Sequence, residues 1–373
     1  MKAWPVLGII IVQVFLCLAH WFLYSTFIHF WWPLSASTAL ALRATLMMLS
    51  ATFVVAALLS FRYYNRPVKI IYRIAAVWLG LFNFFFVAAC LSWAADFAIR
   101  LLHPGPVHTQ ARPYIVATLS LAAIAVAIYG ILNARMIRIR RLTITLPRLP
   151  ESWRGRNALL ISDVHLGNIN TVRFARRLAR KAASLKPDIL FIAGDLFDGS
   201  KADPGWLAGP LLRLSPLFGT YFVMGNHEEF GGEAHYLAAL TQAGIHVLNN
   251  ERMIVDGLQI VGVPFGHSTY PIRLRNFLES LRLSEGPASI LLNHVPHRLP
   301  IAEEAGVCLQ LSGHTHGGQV FPFSWITRRA FGKYTYGLHR FGELQVYTSS
   351  GAGTWGPPMR VGTHPEIVLL TFR

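Results

Sequence analysis

Five apolar segments of the chain each run directly into residues that can bind a metal ion. The first, residues 158–161, is followed by Asp163 and His165. A short apolar run of this kind is typical of a buried strand. In an extended chain, residues i and i+2 point to the same side, so this carboxylate and imidazole can bind one cation. Taken alone the pair is weak support, because Asp-x-His is common by chance.

The same pattern occurs four more times in order along the sequence. The residues that follow the later apolar segments are Gly194-Asp195, Gly225-Asn226-His227-Glu228, Asn293-His294 and Gly313-His314-Thr315-His316. Sites in α/β folds form where the carboxyl ends of strands meet, so the recurrence predicts a single shared site. Oxygen and nitrogen donors without thiolates favour manganese, iron, zinc or magnesium over a soft metal.

These blocks resemble the signature of the calcineurin-like metallophosphoesterases, which reads D-x-H, G-D, G-N-H-[DE], a single His and G-H-x-H. No ligand type is substituted. The segments GNHEEFGG, LNNERMIVDG, LQLSGHTHGGQVFPF and YGLHRFGELQVYTSSGAGTWGPPMRVGTHPEI are similar to the membrane-attached YkuE/YaeI-like branch, which includes UDP-diacylglucosamine pyrophosphatases. The resemblance covers about residues 138–373 and implies an α/β fold with a four-layer α/β/β/α sandwich.

The resemblance also implies two divalent metal ions, with manganese expected first and iron, zinc or magnesium as alternatives. The first ion is expected on Asp163, His165, Asp195 and His316. The second is expected on Asp195, Asn226, His294 and His314. Asp195 would bridge the two, since a carboxylate offsets the repulsion between cations roughly 3.5–4 Å apart. The resemblance makes His227 a residue that does not bind metal and that protonates the leaving oxygen, stabilises it electrostatically or acts mainly as an oriented hydrogen-bond donor. Asp195, Asn226 and His227 are the expected catalytic residues.

Two features of the sequence depart from the resembling branch. Val263-Pro264-Phe265 stands where relatives often carry a Val-Asp-Asp-like turn, and Cys308 stands where an Asp is common. Neither is a predicted ligand, so the expected metal chemistry is unchanged. The departures affect only the expected shape of the substrate.

The apolar content of the chain is concentrated before about residue 133. Hydrophobic residues make up 53% of the sequence and charged residues only 14%, which is unusual for a soluble protein. The apolar runs long enough to cross ~30 Å of hydrocarbon are residues 5–27, 38–60, 74–97 and 114–132. The first is too long for a signal peptide and has bulky His20-Trp21 after Ala19, so it is expected to stay uncleaved. We predict a transmembrane helical region over 1–134 and a metallophosphoesterase domain over 135–373.

Basic residues are unevenly distributed among the links between these spans. They are concentrated in the second link and after the fourth span, as Arg62, Arg66, Lys69, Arg73, Arg135, Arg138, Arg140 and Arg141. The positive-inside rule then places both chain ends in the cytoplasm. The expected location is a bacterial cytoplasmic (inner) membrane, multi-pass, with the catalytic domain facing the cytoplasm. The sequence leaves the oligomeric state open.

The formal net charge of +16 raises the question of a nucleic-acid partner. The basic residues lie on no recognisable nucleic-acid-binding motif, so none is predicted. Helical spacing over residues 172–185 leaves five basic residues on one face, which is either an ordinary solvated face or a contact with anionic lipid. A second group, Arg328, Arg329, Lys333 and Arg360, is either a binding site for a second phosphate or plain surface charge. The three scattered cysteines, Cys17, Cys90 and Cys308, indicate no disulfide framework.

The leading functional hypothesis is a metal-dependent hydrolase that cleaves a phosphodiester or pyrophosphate bond in a membrane-associated substrate. The expected partners are membrane lipids and a phosphorylated or nucleotide-linked lipid, with UDP-diacylglucosamine as the sharpest candidate. One alternative is a tethered phosphoesterase that acts on soluble phosphoesters. Another is a membrane sensor whose phosphoesterase-like domain only binds, although the presence of His227 argues against it because a binding site needs no leaving-group acid.

Overall fold

The computed structural model describes residues 3–103 and 105–373, and the chain divides into two compact units. The first comprises Met1–Leu132 together with Gly356–Met359, and the second comprises Asn133–Trp355 together with Arg360–Arg373. The predicted domain boundary after residue 134 stays a prediction.

The first unit is built from four long helices. They are α1 (Ala3–Phe30), α2 (Ala36–Ser60), α3 (Arg66–Leu102) and α4 (Val107–Ala134). All four are long and apolar enough to cross a membrane, which confirms the four predicted spans. Many large apolar side chains on them are exposed, including Ile11, Met48 and Phe97. Exposed side chains of this kind suit a helix whose solvent is lipid.

Two helices of this unit are joined by an ion pair. Arg112 of α4 donates from Nε to Asp96 Oδ1 at 2.9 Å and from Nη2 to Asp96 Oδ2 at 3.1 Å. Asp96 lies in α3 and is buried. This bidentate geometry is the strong form of a carboxylate–guanidinium contact, so it fixes α3 and α4 against each other.

The second unit alternates strands with helices. Its first half contains β1 (Arg138–Ile144), β2 (Asn157–Ile161), α5 (Val172–Ala183), β3 (Ile189–Ala193), α6 (Pro204–Leu212), β4 (Thr220–Val223), α7 (Asn226–Gln242), β5 (His246–Val247) and β6 (Glu251–Val255). Its second half contains β7 (Leu258–Val263), α8 (Phe265–Ser268), α9 (Pro271–Ser280), β8 (Ser289–Asn293), α10 (Leu299–Glu304), β9 (Leu309–Ser312), α11 (Phe323–Phe331), β10 (Gly337–Phe341), β11 (Leu344–Thr348) and β12 (Glu366–Phe372).

The strands form two six-stranded sheets. Their orders are β1-β12-β2-β3-β4-β5 and β10-β11-β9-β8-β7-β6. The run β2-β3-β4-β5 is parallel, and so is the run β11-β9-β8-β7. Parallel neighbours need crossover connections, which the intervening helices provide. The carboxyl ends of these strands therefore lie along one edge of each sheet.

The two sheets pack face to face around one apolar core. Strand residues alternate, so Ala158 and Leu160 of β2 enter this core with Ile290 and Leu309 from the other sheet. A second core lies between the second sheet and α9 and α10, as shown by Val261 packing with Leu274 and Leu299. The two-sheet α/β prediction is confirmed.

Helix α5 matches the helical pattern predicted for residues 172–185. It buries Ala175, Leu178 and Ala182, while Arg173, Arg176, Arg177 and Arg180 are exposed. Its amphipathic character is thus confirmed, and the choice between water and lipid for its basic face stays open as predicted.

Candidate metal centre

The predicted ligands lie just beyond the carboxyl ends of five parallel strands. In the first sheet Ile161 pairs with Ile192, and Ala193 pairs with Val223, so the ends of β2, β3 and β4 are level. The two sheets also meet here, because the His314 amide donates to Asp163 Oδ1 at 3.0 Å. The site is therefore assembled from loops of both sheets, as a shared edge requires.

Six of the predicted ligands fall into groups whose donor atoms lie within 4.8 Å of one another. The groups are Asp163-His165-His316, His165-Asp195-His227 and Asp195-His294-His314. The seventh predicted ligand, Asn226, has its Oδ1 3.0 Å from His314 Nδ1. The structure thus brings all seven together and adds His227 to the cluster. Their individual roles as metal ligands remain predictions.

Most of these residues have an unusual backbone conformation. The φ angles are positive at Asp163 (50°), His165 (48°), Asp195 (51°), His314 (68°) and His316 (50°). Left-handed conformations are uncommon outside glycine, and such strain, of order 1–3 kcal/mol per residue, concentrates at functional sites. Five strained residues in one cluster indicate that the fold holds these side chains in place at an energetic cost.

Two glycines allow the loops to approach this closely. A Cβ atom on Gly225 would overlap the carboxylate of Asp195. One on Gly313 would overlap Ser162 Oγ and the carboxylate of Asp163. Both glycines directly precede predicted ligands, so larger residues there would displace the carboxylates.

The donor atoms converge on a common space in a way that fits divalent cations. His165 Nε2 and His316 Nε2 lie 3.0 Å apart. The nearest carboxylate oxygens are Asp195 Oδ2, 3.7 Å from His165 Nε2, and Asp163 Oδ1, 3.5 Å from His316 Nε2. Two neutral imidazoles can share only one proton at such a contact, whereas a cation accepts a lone pair from each.

Burial sets the charge state of the histidines. It lowers the pKa of His165 and His316 well below the ordinary range, and the charge of Arg360 adds to the effect on His316. Burial, with the charge of His294, lowers the pKa of His314 to about 3. Neutral imidazole is the form that binds metal, so these rings need not lose a proton first.

For Asp195 and His294, burial and the neighbouring charges shift the pKa in opposite directions. Burial raises the pKa of Asp163 to about 6. Burial would also raise the pKa of Asp195, but the charges of His294 and His227 hold it well below its usual range. Burial would lower the pKa of His294, yet Asp195 and Asp163 raise it to about 10. Positive charge is therefore favoured beside Asp163 and Asp195, the two carboxylates on which the resemblance places the first cation.

His227 is oriented at the edge of the cluster. Its Nδ1 lies 3.2 Å from the carbonyl oxygen of Asp198, and its amide donates to Asp195 Oδ1 at 3.0 Å. Its ring packs edge-on to His165, with the centroids 4.7 Å apart. Since Nδ1 must carry a proton to donate to a carbonyl, Nε2 is the nitrogen available to a substrate.

Glu228 holds the strand ends together and was not among the predicted site residues. Its buried carboxylate accepts from the amides of Asp195 (3.0 Å), Phe197 (2.9 Å) and Gly225 (2.8 Å). Burial and the nearby charge of Asp195 raise the pKa of Glu228 to about 8. The acidic residue after G-N-H was visible in the sequence, but its bonds to the neighbouring loop were not.

Arg360 does not serve as a free phosphate-binding side chain. It is fully buried, and its Nη1 donates to the carbonyl oxygen of His316 at 2.8 Å while Nη2 donates to that of Gly353 at 2.6 Å. The phosphate alternative for this residue is therefore wrong, because its guanidinium faces backbone carbonyls. Its structural effect is to hold the loop that carries His316.

Comparisons with known proteins agree with this geometry. The sequence pattern of the calcineurin-like phosphoesterase family matches residues 157–318. The chain is 31% identical over 268 residues to an uncharacterized metallophosphoesterase of Campylobacter jejuni, covering 69% of this chain and 70% of that one. It is 30% identical over 316 residues to a transmembrane protein with metallophosphoesterase domain of Danio rerio, covering 80% and 71%. It is 32% identical over 256 residues to the uncharacterized metallophosphoesterase YkuE of Bacillus subtilis, covering 65% and 87%.

The two-sheet fold and its buried Asp/His cluster define a metal-dependent phosphoesterase. The chain belongs to the calcineurin-like phosphoesterase family, and its four apolar helices make it a membrane-associated member.

Proposed function

We propose that the protein is a membrane-anchored phosphohydrolase that acts on a lipid-linked substrate. It uses two divalent metal ions, and manganese is the metal we expect. The bond cleaved is a phosphodiester or a pyrophosphate, and UDP-diacylglucosamine is the most specific candidate for the substrate. The observation that carries the proposal is that all seven predicted donors lie together, with Asp195 belonging to two of the three groups of donor atoms and Asn226 lying beside His314. Two groups with one shared carboxylate are the arrangement that a metal pair requires.

Each residue of the cluster has a definable task in this reaction. Asp163, His165 and His316 would hold one ion, and Asn226, His294 and His314 the other, with Asp195 between them. When bound, the metal pair supplies positive charge to the phosphoryl oxygens and activates a water for attack. His227 would carry a proton on Nε2 as well as on Nδ1 and pass the Nε2 proton to the leaving oxygen, while the contact of Nδ1 with the Asp198 carbonyl orients the ring.

Membrane attachment supports a lipid-linked substrate. Four helices able to cross a membrane precede the second unit, which contains the metal cluster and is called the catalytic unit from here on. Tethering an active site beside the bilayer raises its effective concentration toward a lipid-borne phosphate. We place the protein in a bacterial cytoplasmic membrane with the site facing the cytoplasm, because a nucleotide-linked lipid precursor would be met on that side.

The hydrolase activity is tested with the full chain purified in detergent. We expect manganese-stimulated cleavage of bis(p-nitrophenyl) phosphate that falls by about 10²–10⁴-fold in His227→Gln, the range for loss of a general acid. Asn226→Ala should also lose activity, because a ligand is removed. His235→Gln is the matched control, since His235 is exposed on α7 outside the cluster. Equal activity in all variants would mean that a contaminant is responsible.

The substrate is tested separately with UDP-diacylglucosamine in mixed micelles. The expected products are UMP and the lipid monophosphate, detected by chromatography and mass spectrometry. Cleavage of the bis-aryl phosphate without release of UMP would reject this lipid and favour the alternative of soluble phosphoesters. Absence of both activities in metal-loaded protein would reject the hydrolase itself.

A further inference from the structure

A cavity lies in the catalytic unit apart from the predicted metal ligands. Its volume is about 800 Å³, within the range of small-molecule sites. Helix α11 contributes Ser324, Trp325 and Arg328 to its wall, and Lys333 and Tyr336 follow in the chain. We call this cavity the α11 pocket. None of its lining residues is a predicted metal ligand, although one of them, the glycine at 317, directly follows His316.

The lining of the α11 pocket is positively charged. It includes Arg328 and Lys333 and, among the described residues, no Asp or Glu. Within the same described part of the chain, neither cation forms an ion pair with a carboxylate. Burial and the charges of Arg138 and Arg360 lower the pKa of His364, another lining residue, so the fixed charges are those of Arg328 and Lys333. Two uncompensated cations in one concavity favour an anion.

The carboxylate nearest this wall is already fully used by the protein. Glu366 is buried, and its Oε2 accepts from the Tyr336 hydroxyl at 2.9 Å. Its Oε1 accepts from the Tyr347 hydroxyl at 2.8 Å and from the Ser350 amide at 3.2 Å. Glu366 therefore orients Tyr336 in the wall and does not neutralise the pocket cations by pairing with them.

Helix α11 itself has the composition of an interfacial helix. It has no buried residue, and Phe323, Trp325 and Ile326 are 48%, 67% and 61% exposed. Arg328 and Arg329 follow in its last turn. Aromatic and aliphatic side chains beside arginines are typical of helices that lie in the headgroup region of a bilayer.

Another part of the lining is hydrogen-bonded to Asn133, near the end of α4. Asn133, the penultimate residue of α4 and part of the catalytic unit, donates from Nδ2 to the carbonyls of Arg360 and Thr363, each at 2.9 Å. Its Oδ1 lies 3.0 Å from His364 Nδ1. Thr363 and His364 line the pocket. This part of the lining is thus bonded to Asn133, one residue before the candidate span ends at Ala134.

We propose that the α11 pocket binds the phosphate-bearing headgroup of an anionic membrane lipid. Arg328 and Lys333 contact the phosphate, and the exposed Trp325 and Ile326 lie against the acyl region. The proposal goes beyond hydrolysis, because binding here needs neither the metal ions nor turnover. It assigns to α11 a role in retaining lipid beside the His316 loop.

The test measures lipid binding by the full chain in detergent, after lipid removal and in EDTA. The probes are dioleoyl phosphatidylglycerol and, as the neutral comparison, dioleoyl phosphatidylcholine, with bound lipid counted by native mass spectrometry. We expect preference for phosphatidylglycerol and an affinity lower by about tenfold or more in Arg328→Gln/Lys333→Gln, because removing one charge-assisted hydrogen bond weakens binding by about a factor of ten. The matched control is Arg213→Gln/Lys201→Gln, which removes the same charge from exposed residues outside the lining and away from α11 and should change affinity by less than about twofold.

Three results would overturn the proposal. One is an equal fall in affinity in both double variants, which would indicate a general effect of surface charge. Another is loss of phosphatidylglycerol binding in Asp195→Asn but not in Arg328→Gln/Lys333→Gln, which would place the lipid at the metal cluster. The third is inorganic phosphate that binds with the same dependence on Arg328 and Lys333 while phosphatidylglycerol shows no preference, which would make the ligand a soluble phosphate. Hydrolysis of bis(p-nitrophenyl) phosphate is measured in parallel, so failure of this proposal is distinguishable from failure of the proposed function.

Discussion

Asp195 is the residue on which both predicted metal positions depend. Its Oδ2 lies 3.2 Å from His294 Nε2 and 3.7 Å from His165 Nε2, so one carboxylate faces a histidine from each group. Its Oδ1 accepts the amide of His227 and is thereby fixed in orientation. A side chain held in this way can bridge two cations without losing further conformational freedom.

Replacing the bridging carboxylate should remove metal from both positions. We expect Asp195→Asn to hold clearly less than the roughly two ions per chain expected of a two-metal site, because the amide lacks the charge that offsets repulsion between the cations. Metal content is measured by inductively coupled plasma mass spectrometry on manganese-loaded, desalted protein. Asp256→Asn is the control, since Asp256 is exposed and outside the cluster. Full metal content in Asp195→Asn would contradict a bridging role.

Glu228 should be required for stability although it is not a predicted ligand. In Glu228→Gln one amide oxygen must replace two carboxylate oxygens, so at least one of the three buried amides at Asp195, Phe197 and Gly225 loses its acceptor. We expect a decrease of about 1–3 kcal/mol in the free energy of unfolding, seen as a Tm lower by several degrees. Differential scanning fluorimetry in detergent measures this. The control is Glu233→Gln, at an exposed position of the same helix, which should leave Tm unchanged. A Tm of Glu228→Gln equal to that of the unsubstituted protein would refute the stabilising role of Glu228.

The sequence predicted the types and order of the cluster residues because each follows an apolar strand. It did not predict the residues that orient them. Arg360 reaches His316 across 44 positions, and Glu228 reaches Phe197 across 31, so these contacts depend on which loops the fold brings together. The positive φ angles could not be predicted from the sequence either, because Asp and His indicate the left-handed region far less strongly than glycine does.

At the scale of elements, the four apolar helices were predicted correctly, but three basic residues predicted in the link before the third helix lie inside that helix. Helix α3 begins at Arg66, where the apolar pattern suggested about residue 74, so Arg66, Lys69 and Arg73 lie in its first turns. Asn65 caps this helix by accepting the Val68 amide at 3.0 Å. An Asn two residues before a Pro was the available signal for this start, and hydropathy alone does not contain it.

The ion pair between α3 and α4 should stabilise the helical unit. In Arg112→Gln the buried Asp96 loses its bidentate partner, and breaking such a pair typically costs about 3–5 kcal/mol. We expect a marked fall in Tm in detergent and recovery of much of it in Asp96→Asn/Arg112→Gln, where no charge is left unpaired. Arg100→Gln is the control, because Arg100 is exposed at the end of α3. A Tm unchanged in Arg112→Gln would show that the pair contributes nothing to packing.

At the scale of the whole molecule, the unequal distribution of basic residues has a consequence for orientation. The formal charge of +16 includes Arg62, Arg66, Lys69 and Arg73 around the start of α3 and Arg135, Arg138, Arg140 and Arg141 after α4. Basic residues at span ends favour the cytoplasmic side. With four spans, the start of α3 and the segment after α4 lie on the same side of the membrane, so both groups agree.

The catalytic unit should therefore face the cytoplasm, which a pair of reporters fused after Arg373 can measure. We expect green fluorescent protein to fluoresce there and alkaline phosphatase to be inactive, because the first folds in the bacterial cytoplasm and the second needs oxidation outside it. The control is a truncated chain fused after Trp32, between α1 and α2, where the reporters should give the opposite result. Active alkaline phosphatase after Arg373 would place the site outside the cytoplasm. A nucleotide-linked lipid precursor would then be out of reach, whereas the metal cluster and its hydrolase chemistry would be unaffected.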